Sequence, residues 1–437
     1  MTIVWGRKSR LCFLALTMLC LPAFSDTLDK ETPKRAANPD AVRAVMEGQC
    51  TEASAAWWGF DAEDATPFLQ AAIDSPVKRL IVPYMGDPWI VTPLRLRSGI
   101  EIVFEPGVVV LAKQGAFKGK GDSLFTAVDA SDITLRGYGA VLRMRKKDYQ
   151  GPEYEKAEWR MALDFMGCSR VRIEGLRLES SGGDGIYLGA TANQPYCEHV
   201  VIRDVVCHDN HRQGISVISA IDLLIENCVL SGTKGTNPQA GIDFEPNQAI
   251  EKLENCVVRH CVMENNHGAG ILVYLKPLSR ESAPVSLLFE DCLVRGGDDT
   301  GIGVGAIKDD GPGGLIEFRN CTVEGAAKGG LYLYDKSPER ARVRFVNCAW
   351  KDVGVGHRKA PLVLGLRRPE LAGRFGGVDF MDCYVVDSED RPFLAIEPDN
   401  AKRGVQDIQG RITVRTPYQP SIDLGPNATD IALEIAR

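Results

Sequence analysis

The sequence predicts an all-β fold in which short parallel strands stack in successive coils. A segment of the form Gly-apolar-x-apolar recurs six times after a polar turn, with spacings of 29, 27, 29, 31 and 29 residues. A period this constant is typical of a repeat architecture. Within each segment apolar and polar residues alternate, which is the pattern of a half-buried strand. The six segments begin at Gly185, Gly214, Gly241, Gly270, Gly301 and Gly330.

The cysteines form a column. Stacked coils hold equivalent Cα atoms about 4.8 Å apart, but parallel Cβ vectors keep the sulfurs wider apart than a relaxed disulfide requires. We therefore predict buried free thiols, with the preceding Asn and Asp residues turning the chain. Cys50 and Cys197 lie outside the column and are the first candidates if any cysteines pair. The column, at intervals of 27 to 35 residues, comprises Cys228, Cys261, Cys292, Cys321, Cys348 and Cys383.

The N-terminus has the pattern of a secretory signal peptide. Three basic residues up to Arg10 precede an apolar stretch at 11–21, and small residues follow up to Ser25. Removal of residues 1–25 changes the formal charge from −7 to −10, with 48 basic against 58 acidic groups. We expect a secreted or periplasmic protein with no membrane span, because no later apolar stretch reaches about 20 residues. The acidic balance without a basic cluster argues against nucleic acid as a partner.

Residues 26–437 are predicted to form a single domain. An N-terminal cap is expected at 60–78, where Thr66 can cap a short amphipathic helix and Pro67 occupies its first turn. Such a helix would cover the open end of the strand stack. Regular coils are predicted for 79–390, and terminal strands or a cap for 391–437.

A longer excursion at 144–160 interrupts the strand pattern. It is rich in Lys, Tyr and Glu. Strand stacks usually insert variable loops on the face that binds the ligand. We therefore predict that this loop forms one wall of a cleft.

The repeats read Val-x-Ile-x-Asn-Cys followed by Asn-x-x-Gly-Ile-x-Val, after a capping helix and opening coils at 79–83 and 100–107. This arrangement resembles the right-handed parallel β-helix superfamily, which includes pectate lyases and polygalacturonases. The resemblance covers about residues 60–390. It implies a right-handed parallel β-helix, a solenoid with a short N-terminal capping helix, and a polysaccharide or oligosaccharide substrate.

The polygalacturonase motifs are not kept. Polygalacturonases carry Asn-Thr-Asp, then Asp-Asp, then Gly-His-Gly on successive coils. Here the first element retains only Asp184, and the next coil has His211-Arg212-Gln213-Gly214 in place of the paired aspartates. The polygalacturonase mechanism therefore does not transfer, and the site itself must decide the reaction.

One coil departs from the others by carrying two carboxylates. If Ile242 and Phe244 point inward, Asp243 and Glu245 point outward, with Cα atoms about 6.5–7 Å apart. Carboxyl groups about 6.5–9.5 Å apart suit inverting glycoside hydrolysis, and about 5.5 Å suits the retaining reaction. We predict Asp243, Glu245 and Asp184 as catalytic residues; an ordinary solvent-facing or turn role is the alternative for each.

Arg212 lies on the coil between Asp184 and Asp243, so all four side chains could face one groove. An arginine there would bind an acidic sugar or hold a carboxylate ionised. We predict it as a substrate-binding residue. A salt-bridge role is the alternative.

Aromatic and histidine side chains complete the predicted binding site. Outward tyrosines offer ring faces to sugars and hydroxyls for polar contacts. His211 and His267 each lie three residues before a strand glycine, and a solvated turn role is the alternative for both. The outward tyrosines are Tyr187, Tyr274, Tyr332 and Tyr334.

Three functions are compatible with these residues. The first is an exported glycoside hydrolase that uses paired carboxylates and needs neither metal nor cofactor. The second is a polysaccharide lyase or uronate epimerase, in which Ca²⁺ or Arg neutralises the uronate and Arg212, Lys234 or His267 acts as base. The third is a noncatalytic glycan-binding surface protein. The oligomeric state is not predicted.

Overall fold

The chain is a right-handed parallel β-helix, described by a computed structural model for residues 37–357, 359–397 and 403–437. Its strands form a 12-stranded and a 24-stranded sheet, and all their pairings are parallel. The predicted signal peptide at 1–25 lies outside the described residues. Within those residues, none of the helices has the length and apolar character that crossing a membrane requires.

The 12-stranded sheet forms one face of the helix, which we call the groove face. It contains all six Gly-apolar-x-apolar segments in a common register, as predicted. Its strands are Leu94–Arg95, Phe125–Val128, Leu163–Met166, Ile186–Gly189, Gln213–Val217, Ala240–Phe244, Ile271–Tyr274, Thr300–Ile307, Gly329–Lys336, Leu362–Gly365, Leu394–Ile396 and Ile422–Asp423.

The 24-stranded sheet supplies the other two faces. One face has longer strands: Glu52–Ser54, Arg79–Val82, Ile100–Phe104, Ser131–Arg136, Ser169–Glu174, Cys197–Arg203, Ala220–Glu226, Leu253–Arg259, Val285–Glu290, Gly314–Arg319, Arg342–Val346, Phe375–Val386, Val405–Arg415 and Thr429–Ala436. The other has shorter strands: Trp89–Val91, Val109–Ala112, Val141–Arg143, Arg177–Glu179, Val206–His208, Val229–Ser231, Val262–Glu264, Leu293–Arg295, Thr322–Glu324 and Ala349–Lys351. Phe375–Val386 is long enough to pair with strands of both faces, Arg342–Val346 and Ala349–Lys351.

The stack extends beyond the predicted coils at both ends. Glu52–Ser54 pairs with Arg79–Val82, so the first strand precedes the predicted start at 79. Val405–Arg415 and Thr429–Ala436 continue the same sheet, which agrees with terminal strands. The domain boundaries themselves remain predictions.

The capping helix is present at Thr66–Asp74, preceded by Pro39–Met46 and by a 3₁₀ turn at Ala55–Trp57. The expectation that Thr66 caps it is wrong. Asp64 accepts the Thr66 N–H at 3.0 Å instead, and the Thr66 hydroxyl accepts a hydrogen bond from the N–H of Thr92 at 2.8 Å. The helix start is therefore tied to the following coil.

The interior is built from ladders of like side chains. Ile186, Ile215, Ile242 and Ile271 are consecutive register partners and are fully buried. Four phenylalanines stack with ring centroids 4.7, 5.0 and 5.4 Å apart; these are Phe289, Phe318, Phe345 and Phe380. One inward position is thus repeated down the axis, and each rung packs on the next.

The cysteine column is buried and free of disulfides, as predicted. The thiol of Cys321, for example, points at the carbonyl oxygen of Phe289 on the preceding coil, at 3.4 Å. The residue before each column cysteine has a positive φ, as in Asn320 and Asn347, so these residues do turn the chain. Cys50 and Cys197 are also free.

Candidate active site

Polar side chains occupy one outward column of the groove face over four consecutive coils. Asp164, Tyr187, Ser216 and Asp243 are register partners in that order, and Leu272 follows. Parallel strands lie about 4.8 Å apart, so Asp164 and Asp243 are separated by about 14 Å along the axis. This column is the floor of the candidate site.

Asp243 and Glu245 form a carboxyl pair. Ile242 and Phe244 point into the core, as predicted. Asp243 nevertheless is only 1% exposed, whereas the Glu245 side chain is 28% exposed. Burial first, then the charge of Glu245 and a hydrogen bond shared with it, raise the pKa of Asp243 well above its ordinary value. A buried carboxyl beside a second carboxyl ionises less readily than an exposed one, so Asp243 keeps its proton at a pH above its ordinary pKa.

Gln213 determines which oxygen of Asp243 carries that proton. Its Oε1 accepts the backbone N–H of Ala240 at 2.8 Å, which leaves its Nε2 to donate to Asp243 Oδ2 at 2.9 Å. Asp243 Oδ1 has no hydrogen-bond partner among the described residues. Because Oδ2 already accepts from Gln213, a proton on Asp243 is assigned to Oδ1.

Arg212 joins the acidic side chains. Its Nη2 donates to Glu245 Oε2 at 3.1 Å, its Nη1 lies 3.6 Å from Asp184 Oδ2, and its Nε lies 3.7 Å from Glu158 Oε1. Burial alone lowers the pKa of Arg212, but the surrounding carboxylates, Asp184 first, raise it more. The guanidinium therefore stays charged, and its side chain is only 13% exposed.

Asp184 lies beneath Arg212. It is fully buried, and neither carboxyl oxygen has a hydrogen-bond partner among the described residues. Burial raises its pKa to about 7, with Arg212 offsetting part of that rise. The expectation that all four side chains face one groove is therefore wrong for Asp184 and Asp243: the four side chains meet, but these two are covered.

Two acidic residues of this site, Asp164 and Glu158, were not predicted from the sequence. Asp164 stands one coil before Tyr187, and burial raises its pKa to about 6 while a 3.4 Å hydrogen bond from Ser123 lowers it. The signal for Asp164 was the Leu-Asp-Phe alternation, which lacks the glycine of the six repeats. Glu158 belongs to the irregular loop, where no periodicity marks it.

The loop at 144–160 does form a wall. It contains a 3₁₀ turn at Asp148–Gln150 and lines a cleft of about 640 Å³. Trp159 is exposed in this cleft, beside Glu158 and His211. The predicted role of the loop as a cleft wall agrees with this placement.

The histidines do not join the carboxylates. His211 Nε2 lies 3.0 Å from the hydroxyl of Thr236, and burial, with Lys146 and Arg160, lowers its pKa, so the ring is neutral near pH 7. His267 pairs with Asp298 at 3.1 Å on a turn. Both contacts fit the turn alternative, although His211 is buried in the turn and not solvated.

The outward tyrosines divide into two groups. Tyr187 lies within the polar column, between Asp164 and Ser216. Tyr274 lies elsewhere, with its hydroxyl accepting from Arg368 at 3.1 Å. Its hydroxyl accepts that bond and keeps its own O–H as a donor, so its contact with a sugar stays a prediction.

Within the described ranges, no group of three or more His, Cys, Asp or Glu side chains is arranged to hold a metal ion. The carboxylates of the site instead surround the guanidinium of Arg212.

Comparisons with known proteins place the fold. The family described as "Right handed beta helix region" matches residues 160–304 and 196–357. An uncharacterized protein of Bacillus subtilis is 27% identical over 157 residues, which are 34% of this chain and only 26% of that relative. The chain thus matches about a quarter of that relative's length.

Similar solved structures differ in what they do. A mannuronan C-5 epimerase A-module from Azotobacter vinelandii is 16% identical, with a TM-score of 0.59 over 86% of this chain and 99% of that one. A family 28 exopolygalacturonase from Yersinia enterocolitica is 12% identical, with a TM-score of 0.61 over 88% and 79%. A surface adhesin of Streptococcus pneumoniae is 11% identical, with a TM-score of 0.54 over 88% and 93%. At these identities the likeness confirms the right-handed parallel β-helix and leaves the reaction to the site.

Proposed function

We propose that this protein is an exported, cofactor-independent glycoside hydrolase that cleaves a polysaccharide. The observation that carries the proposal is the carboxyl pair of Asp243 and Glu245: Asp243 is buried with a raised pKa, and Glu245 is partly exposed and held by Arg212. Glycosidases need one carboxyl that donates a proton and one that is ionised. The likeness to an epimerase of mannuronan and to an exopolygalacturonase supports a polysaccharide as substrate.

Glu158 is the second carboxylate of this proposal. It is 29% exposed and faces Arg212 from the loop, while Glu245 faces Arg212 from the strand end. Guanidinium nitrogens lie under about 2.7 Å apart, because each C–N bond is about 1.33 Å. Glu158 Oε1 and Glu245 Oε2 are therefore no more than about 9.5 Å apart, a bound that includes the separations used by inverting enzymes.

The proposed reaction uses each group once. Asp243 gives up its proton, and Glu245 relays it to the glycosidic oxygen as the bond from that oxygen to the anomeric carbon breaks. A water molecule attacks the anomeric carbon from the opposite side, and Glu158 accepts its proton. Asp184, buried under Arg212, is a positioning residue in this scheme and does not contact the substrate.

Hydrolysis is favoured over calcium-dependent elimination by the position of Arg212. Its guanidinium lies within 4 Å of Asp184, Glu158 and Glu245. A Ca²⁺ ion that used these oxygens would have to displace the guanidinium from the centre of the cluster. Arginine already provides the positive charge there.

The test is turnover of a panel of neutral and acidic polysaccharides, with product masses. We expect products that have gained one water per cleavage, and a loss of at least about 100-fold in kcat for Glu245→Gln and Glu158→Gln. Glu254→Gln is the matched control, since Glu254 is similarly exposed on another face and pairs with Lys252. Unsaturated products that absorb in the ultraviolet, or near-normal turnover by both variants, would contradict the proposal.

A further inference from the structure

We propose that the groove carries a separate binding subsite for a carboxylate or sulfate group of the glycan, about three coils toward the C-terminus from Asp243. This inference rests on the proposed function, because it assumes that one glycan runs along the groove face. We call the site the basic cleft. It is defined by Lys328, Tyr332, Tyr334, Lys359 and Arg367.

The basic cleft continues the floor of the candidate active site. Asp243 is the register partner of Leu272, Leu272 of Gly303, and Gly303 of Tyr332. Three rungs of about 4.8 Å give about 14 Å between Asp243 and Tyr332. The cleft has a volume of about 630 Å³, and both Leu272 and Gly303 line it. A glycan bound at Glu245 and extended along the axis therefore enters it.

Two tyrosines and two glycines shape the cleft. The rings of Tyr332 and Tyr334 stack at 4.9 Å with 16° between their planes. A Cβ atom at Gly305 would lie 2.4 Å from the Tyr334 ring, and one at Gly365 would lie 2.6 Å from the Tyr332 hydroxyl oxygen. Side chains at these two glycine positions would collide with the tyrosines, so the glycines allow both rings to lie across the strands.

The stacked rings support a cation. The Cζ atom of Arg367 lies 4.6 Å from the Tyr332 ring centroid and 5.9 Å from that of Tyr334. The hydroxyl of Tyr332 donates to Glu397 at 3.1 Å. The rings thus contact each other and a guanidinium; their contact with sugar rings stays a prediction. What the cleft presents to a ligand is the positive charge of Arg367.

Three cations converge on the cleft, and their side chains are each more than half exposed. Lys328 pairs with Asp299 at 3.0 Å, whereas Lys359 and Arg367 each lie 3.7 Å from the same oxygen of Glu397. The latter distance is longer than a hydrogen bond, so Lys359 and Arg367 keep donors for a ligand. The five charged residues lining the cleft sum to a net charge of +1 in a chain of −7.

This chemistry selects an anionic oxygen group. The planar fork of Arg367 and the ammonium of Lys359 match a carboxylate or a sulfate, which present two or more acceptor oxygens. A neutral sugar would leave the excess positive charge of the cleft unmatched. The substrate class inferred for the protein is therefore an anionic polysaccharide.

The experiment measures binding without turnover. The Glu245→Gln variant is titrated with polygalacturonate, dextran sulfate and dextran, which offer a carboxylate, a sulfate and no charge. We expect at least one charged probe to bind and dextran to bind at least about 10-fold more weakly. Adding Arg367→Ala and Lys359→Ala should lower the affinity for the charged probe by at least about 10-fold. Added salt should lower this affinity as well. The charged probe that binds more tightly shows whether the subsite prefers a carboxylate or a sulfate.

Arg411→Ala is the matched control, because Arg411 is similarly exposed, has one acidic partner at 3.5 Å and lies outside the cleft. It should leave affinity unchanged. Equal binding of dextran, no binding of either charged probe, or equal effects of the cleft and control variants would overturn the inference. These binding measurements do not depend on catalysis. If the protein binds the charged probes selectively but hydrolyses no glycan, only the proposed hydrolase function is contradicted. If the protein hydrolyses a glycan but the Arg367 and Lys359 substitutions do not change its affinity, only the subsite is contradicted.

Discussion

Gln213 donates to one oxygen of Asp243 at 2.9 Å and accepts the backbone N–H of Ala240 at 2.8 Å. The amide therefore cannot turn without leaving the Ala240 N–H unsatisfied. Its position fixes Asp243 Oδ2 as an acceptor and leaves Oδ1 to carry the proton. The backbone of one coil thus sets the orientation of the proton in the proposed acid pair.

Removing that amide should shift the pH dependence of the enzyme. In Gln213→Met the ionised form of Asp243 loses its hydrogen-bond donor, so the pKa of Asp243 should rise further. The part of the pH–rate profile that depends on this carboxyl should therefore shift to higher pH by about one unit. The free energy of unfolding should fall by about 1–3 kcal/mol because the Ala240 N–H loses its acceptor. Gln409→Met is the control, since Gln409 makes a similar 2.8 Å bond to Asp379 far from the site; an equal shift in both variants would contradict the role.

Asp243→Asn should separate chemistry from stability. The variant keeps the shape of the side chain but has no proton to pass on, so kcat should fall about 10²–10⁴-fold with glycan binding retained. The pKa of Asp243 is raised in the folded state, so this acid opposes folding once the pH exceeds its unfolded pKa. Asp243→Asn should therefore gain stability relative to wild type as pH rises from 4 to 8, measured by urea unfolding. A stability difference that does not vary with pH would count against a raised pKa.

Arg212→Met should destabilise the protein in a pH-dependent way. At pH 8 the variant leaves Asp184, Glu158 and Glu245 without the charge of Arg212. The free energy of unfolding should therefore fall by about 3–5 kcal/mol. Asp184 has a pKa of about 7 in the folded protein, so at pH 5 it is already protonated and the loss should be smaller. Arg170→Met, which removes an exposed arginine paired with Asp132, should cost about 1 kcal/mol or less at either pH.

Lys336 is buried away from the site and should limit stability at low pH. Its side chain is fully buried, donates to the Ser337 carbonyl at 2.6 Å, and has its pKa lowered to about 7, first by burial and then by Arg342. Below pH 7 the folded protein must bury the charge, and this cost disappears as pH rises from 7 toward the unfolded value of about 10.4. Lys336→Met should be more stable by about 1–4 kcal/mol at pH 6, with the gap closing by pH 10. A gap that widens with pH would contradict the burial account.

The cysteine column predicts a specific thiol titration. In the chain from residue 26 onward there are eleven cysteines, all free, and only Cys50 is not buried. An aromatic disulfide reagent should react quickly with one thiol in the native protein and with all eleven after unfolding. Cys50→Ser should abolish the fast reaction, and a reducing agent should leave the melting temperature unchanged. A reductant-dependent melting temperature would show that disulfides form.

Much of the fold was readable from local pattern. The recurring glycine strands predicted the groove face, and the Asn-Cys and Asp-Cys steps predicted the turns, because each coil repeats the same few backbone and packing requirements. The meeting of Asp184, Arg212, Asp243 and Glu245 also followed from their places on neighbouring coils. Asp164 and Glu158 were missed because neither lies in a segment that carries the repeat.

The sequence by itself determined the stack, its period and the coil on which the carboxylates depart from the repeat, since these depend on residues close in the chain. Only the tertiary structure decided which acids are covered. Arg212 lies over Asp184, Gln213 ties Asp243 to the preceding coil, and Glu158 belongs to an irregular loop. Burial and pKa depend on such long-range contacts, which a one-dimensional repeat does not encode. The division into a partly exposed Glu245 and a buried Asp243 is therefore a property of the folded chain alone.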